Sequence, residues 1–127
     1  MNILFVCKYN RFRSRFAETL FKKINKKHKA KSAGIIKGSP IDKTIKTLAN
    51  EFNVEIKRNP QTIDHKLLKW QDMIVIVADD VPKSIFSNSK KVLVWKIKDV
   101  HKPDNKKRRM LVNRIYKRVK RLSGELK

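Results

Sequence analysis

Cysteine is almost absent from this sequence: Cys7 is the only one in 127 residues. A single thiol excludes an intramolecular disulfide framework and is expected of a chain kept in a reducing compartment. Glycine and proline are scarce too, three and four residues respectively, and no repeat, Gly/Ser linker or low-complexity tail interrupts the chain. No apolar run approaches the roughly 20 residues that a membrane span needs. The start, MNILFVC, lacks the basic segment of a secretory signal. A cytoplasmic protein without membrane association is expected. The three histidines, His28, His65 and His101, are far apart, so no metal-ligand cluster and no cofactor is expected.

Acidic residues are the other shortage. Eleven Asp and Glu face thirty-three Lys and Arg, a formal charge of +22. Such an excess attracts anionic ligands or polyanions, although it can also be solvated surface. Aromatics amount to 8% and fall mostly at core spacing, and no nucleic-acid-binding motif is present. Hydrophobic residues, 40% of the chain, are spread along its whole length, enough for a buried core in one domain spanning 1–127.

Their pattern alternates between two periods. Asn2–Val6 reads as a buried strand, as do DMIVIV from Asp72 and KVLVWKI from Lys91, and 31–36 as a shorter one. Between them, Phe16, Ala17, Leu20, Phe21 and Ile24 mark one helical face, and Ile41, Ile45, Leu48, Ala49 and Phe52 another, with Pro40 in its first turn. A short helix is expected from Asp64 to Trp70 and a further one around Pro82. The last helix carries Val112, Ile115, Val119 and Leu122 inward, with Arg108, Arg109, Arg114, Lys117, Arg118, Lys120 and Arg121 around the rest. Alternating strands and helices predict an α/β domain on a parallel sheet, with ligands beyond the carboxyl ends of the strands. Cys7, Asp79, Asp80 and Asp99 all follow predicted strands and so share one rim.

Cys7 opens the segment CKYNRFRS. A strand, a tight loop and a helix start bring unpaired amides and the helix dipole together, which suits an anion. Lys8, Tyr9, Asn10, Arg11 and Phe12 can arch over it, and Arg13 offers a planar fork for two phosphate oxygens. There Cys7 is expected to react as a thiolate, with Ser14 donating to its sulfur. Asp79, Asp80, Asp99 and, less well placed, Asp104 are candidate acids; helix capping is the plain role for the first two.

This loop resembles the C-x5-R-[ST] loop of the low-molecular-weight protein tyrosine phosphatases. Ala17-Glu18, Ser32-Ala33-Gly34, Gly38-x-Pro40-x-Asp42, the strand begun by Asp72 and the run VWKIKDV are similar to further family motifs, in order along the chain. The resemblance implies a three-layer α/β/α fold with a four-stranded parallel sheet in the flavodoxin-like order 2-1-3-4. It also implies metal-independent hydrolysis of phosphomonoesters, of the protein-tyrosine-phosphate type, through a cysteinyl-phosphate. Cys7, Arg13 and Asp99 would be the catalytic residues; Lys8, Tyr9, Asn10, Arg11, Phe12 and Ser14 would bind substrate. Phosphorylated proteins or small phosphoesters would be the partners. Three positions depart from the pattern. Tyr9 replaces the usual glycine and is expected to strain the loop if it needs φ > 0. Phe12 replaces a second loop cysteine, and Val100 follows Asp99 where the family has proline. The related arsenate reductases need two further cysteines, which this chain lacks. The alternative expectation is a polyanion or nucleic-acid binder on the same scaffold with little catalysis, its nucleic-acid binding weak and non-specific.

Overall fold

A computed structural model describes residues 1–57, 59–89, 91–100 and 104–126. Four strands, β1 (Asn2–Cys7), β2 (Lys29–Gly34), β3 (Met73–Val77) and β4 (Val92–Trp95), form one parallel sheet in the order β2-β1-β3-β4. The central strands β1 and β3 are apolar on both faces because helices cover both. One face, through Ile3, Phe5, Val75 and Val77, packs on α1 (Arg13–Ile24), α2 (Lys43–Glu51) and α4 (Asn105–Glu125). The other, through Leu4, Val6, Ile74 and Ile76, packs on the short α3 (His65–Trp70) and a 3₁₀ turn at Lys83–Phe86. The three-layer α/β/α architecture and the strand order agree with the expectation.

Several local expectations shift. β2 starts earlier and stops at Gly34, because its outward residues are the lysines Lys29 and Lys31, which hide its alternation. Pro40 lies outside α2; Asp42 caps that helix, accepting from the Ile45 amide at 3.1 Å. Asp64 and Asp104 cap α3 and α4 in the same way. Asp79 and Asp80 cap nothing, since the 3₁₀ turn is entered at Pro82 without a side-chain cap. β4 is an edge strand and only half-buried. Among the described residues no helix is long and apolar enough to cross a membrane.

Helix α4 is seated by Val112, Ile115, Val119 and Leu122, all buried. Because it packs against α1, it holds the helix that follows the Cys7 loop. Ile115→Ala should therefore cost about 2–5 kcal/mol, read as a lower urea midpoint at unchanged slope. A loss below about 1 kcal/mol would mean that α4 is not part of the cooperative core.

Candidate active site

β1 ends at Cys7, and α1 begins six residues later at Arg13. The loop between them is fastened from within by Asn10. This residue is fully buried and left-handed, at φ 56°. Asparagine tolerates that region better than most residues. Its Nδ2 donates to Ser14 Oγ at 2.8 Å and to Ser32 Oγ at 3.0 Å, while its Oδ1 accepts from the Gln61 amide at 2.9 Å. Ser32 in turn donates to Glu18 Oε1. Tyr9, where strain was expected, is not in the left-handed region; the turn falls one residue later, on Asn10. Glycine matters at two other places. A Cβ on Gly34 would meet the Tyr9 carbonyl carbon at 2.8 Å and the Asn10 nitrogen at 2.9 Å, and one on Gly38 the Tyr9 oxygen at 2.5 Å.

Cys7 is buried at the floor of this loop. Its sulfur lies 3.0 Å from Ser14 Oγ and 3.4 Å from the Ser14 amide nitrogen, which donates to it. Among the described residues, the backbone amides of Tyr9 through Arg13 donate to no carbonyl, so they remain available to an anion. Arg13 is 2% exposed. Its Nη1 donates to the Ile97 carbonyl at 2.8 Å, and its Nη2 to Asp80 Oδ1 at 3.1 Å; Asp79 lies at 3.6 Å and Asp99 at 3.9 Å. Three carboxylates thus offset the burial of one guanidinium. Nearby Arg15 donates to the carbonyls of Lys57 and Asn59. Burial pushes its guanidinium below its ordinary value, and the charges of Glu18 and Cys7 oppose that shift.

Cys7, Arg13 and Asp99 share a pocket of about 170 Å³, together with Tyr9, Arg11 and Phe12 of the loop. Ile45, Val100 and Arg108 complete its wall. Asn10 and Ser14 are fully buried and hold the loop rather than line the pocket. Lys8 is also off the pocket, its ammonium 5.3 Å from the Tyr9 ring centre. Asp79 and Asp80 reach Arg13 but do not line the pocket, and Asp104 is a helix cap. His101 lies outside the described residues. A larger groove, about 970 Å³, is lined by α1, α3 and residues between 53 and 61, and contains none of the predicted site residues.

Sequence reasoning passed over Glu18, Ser32 and Gln61 as partners of the loop, and it misplaced Arg108 on the solvated side of α4. Arg108 is 8% exposed. A signal was available: stepping the buried stripe 122-119-115-112 back by one more turn lands on 108. Gln61 has no such signal, because a loop meets it only through tertiary contact.

The model of the family described as low molecular weight phosphotyrosine protein phosphatase matches residues 2–126. Among solved structures, an arsenate reductase from Archaeoglobus fulgidus is 35% identical, with 97% of this chain and 99% of that one aligned at a TM-score of 0.82. A low molecular weight protein tyrosine phosphatase from T. tengcongensis is 22% identical over 99% of both chains, TM-score 0.86. The YwlE arginine phosphatase from Geobacillus stearothermophilus is 20% identical over 98% of this chain and 91% of its own, TM-score 0.85. The latter two likenesses bear on the fold alone. No curated protein matches the chain.

Gly34 and Gly124 give opposite expectations for the same substitution. Gly34→Ala drives a Cβ into the Cys7-loop backbone and should destabilise by about 1–3 kcal/mol. Gly124 in α4 has nothing within 4 Å of its Cβ position. Gly124→Ala should stabilise by up to about 1 kcal/mol through helix propensity. Thermal unfolding of both variants checks this; equal effects would show that the loop does not rest on Gly34.

Proposed function

The chain belongs to the low molecular weight phosphotyrosine protein phosphatase family, and on that premise we propose that it hydrolyses phosphomonoesters through a cysteinyl-phosphate. The observation that carries the reading is the placement of Cys7, Arg13 and Asp99 around one small pocket, below a loop of uncommitted amides. Protein-tyrosine-phosphate-type esters are the proposed substrate class, phosphorylated proteins or small phosphoesters the proposed partners, and the cytoplasm the proposed location.

The pocket supports a two-step displacement. The Cys7 thiolate attacks phosphorus in line with the leaving oxygen, forming S–P as P–O breaks. Arg13 and the loop amides hold the equatorial oxygens, where charge accumulates. Asp99 gives its proton to the leaving oxygen. Water then attacks phosphorus while Asp99 accepts its proton; S–P breaks, inorganic phosphate leaves, and Ser14 stabilises the restored thiolate. The nucleophile, the acid–base group and the anion donors in this cycle all belong to the chain, so no metal is called for.

The identity with an arsenate reductase favours a second reading. Reduction of arsenate requires two electrons from thiols, and Cys7 is the only cysteine in the chain. A reductase cycle would have to draw its other thiols from a separate donor. The charge supports steering of anions toward the pocket; the relatives named above give no support to nucleic-acid binding as the main role.

Cys7→Ser should abolish hydrolysis of an aryl phosphate, and wild-type activity should survive EDTA. Full activity in Cys7→Ser would sink the mechanism. Arsenate-dependent oxidation of a supplied dithiol faster than phosphate-ester turnover would instead favour the second reading.

Asp99→Asn should lower turnover of esters with poor leaving groups by about 10²- to 10⁴-fold, and far less for activated esters. If Asp79→Asn or Asp80→Asn shows that leaving-group dependence while Asp99→Asn does not, the acid is misassigned.

A further inference from the structure

The Cys7 pocket has a second buried arginine that the displacement does not use. Arg108 lines it while only 8% exposed. Its guanidinium carbon lies 5.7 Å from the Phe12 ring centre, and its Nη1 donates to Thr44 Oγ1 at 2.8 Å. Thr44 in turn donates a hydrogen bond to Asp42 Oδ1, so that carboxylate is linked to Arg108 through a hydroxyl. Among the described residues Arg108 makes no ion pair, and its Nε is buried without a partner.

Arg15 is likewise buried, with an unpartnered Nε and no ion pair among the described residues, but it lies off this pocket; the other arginines around the loop differ. Arg13 is as deeply buried but meets three carboxylates. Arg109, exposed on α4, grips Glu51 with two hydrogen bonds. Arg11 spends Nε and Nη2 on the carbonyls of Ser39 and Pro40. A guanidinium removed from water with no carboxylate in direct contact is costly, and an arriving anion relieves that cost. Thr44 and Phe12 fix its orientation in advance, which lowers the entropy lost on binding.

We infer that Arg108 forms a second anion subsite in the Cys7 pocket, selecting compact phosphomonoesters that carry another carboxylate or phosphate. The inference rests on the phosphatase reading above and names its substrate class. A pocket of about 170 Å³ is close to the roughly 150 Å³ that accommodates a benzene ring. The two anionic groups must therefore sit within about one ring's length. Ile45 and Val100 supply apolar wall for the skeleton that joins them.

Calorimetric titration with methylphosphonate and phosphonoacetate tests the subsite without requiring turnover. Wild type should bind phosphonoacetate at least about tenfold more tightly, the worth of one charged hydrogen-bonded contact. Arg108→Met should reduce that ratio to near one, and Arg108→Lys should retain part of it. Arg114→Met removes the same charge from an exposed position on α4 and should leave the ratio intact. Equal affinities in wild type overturn the subsite even if Arg108→Met does not fold. A ratio unchanged in Arg108→Met, or lost equally in Arg114→Met, also overturns it. Phenyl phosphate hydrolysis, measured in parallel, separates the two readings. Selectivity without turnover removes the phosphatase reading and keeps the subsite; turnover without selectivity does the reverse.

Discussion

The buried amide of Asn10 is the contact on which the site depends. A loop whose amides must face inward cannot satisfy them on itself, so something outside has to hold its shape. Asn10 does this by entering the left-handed region and connecting Ser14 on α1, Ser32 on β2 and the Gln61 backbone at once. Each link joins the loop to a different part of the fold, and the link to Ser14 also orients the hydroxyl beside the Cys7 sulfur. Losing one member would leave several buried polar groups unpaired, which costs more than the single bond.

Scarcity makes the acidic residues informative. Of the eleven, Asp42, Asp64 and Asp104 cap α2, α3 and α4. Asp72 accepts from the Asn2 amide, and Glu18 accepts from Ser32. Asp79, Asp80 and Asp99 converge on Arg13. A chain of this charge places nearly all its carboxylates where they perform a task, and the densest group surrounds the arginine beneath the pocket. There they fix the guanidinium plane before any ligand arrives, the condition that electrostatic stabilisation needs.

How legible the protein was depends on the range of the interactions concerned. β1, β3 and the loop after β1 could be read because a continuous apolar run and the Cys7-to-Arg13 spacing are local. The inward faces of α1 and α4 followed from periodicity for the same reason. β2 was blurred because lysines occupy its outward positions, and β4 looked more buried than an edge strand is. The positive φ was expected at Tyr9 by family analogy, whereas the backbone turns at Asn10. Arg108 was assigned to solvent on its charge, although its place in the stripe said otherwise; packing against Phe12 and Thr44 prevailed over residue type. Gln61 could not be read at all.

The edge of the sheet at β2 has a consequence for how these molecules meet one another. Apart from the bridge between Gly34 and Thr62, this strand shows no further pairing on its outer side among the described residues. An unpaired edge invites another strand to add to it. Here Lys29 and Lys31 project beside it, the latter 4.6 Å above the Trp70 ring. Two copies aligned edge to edge would bring cationic rows together before any backbone bond could form. The same lysines that obscure this strand in the sequence therefore oppose its growth into a larger sheet.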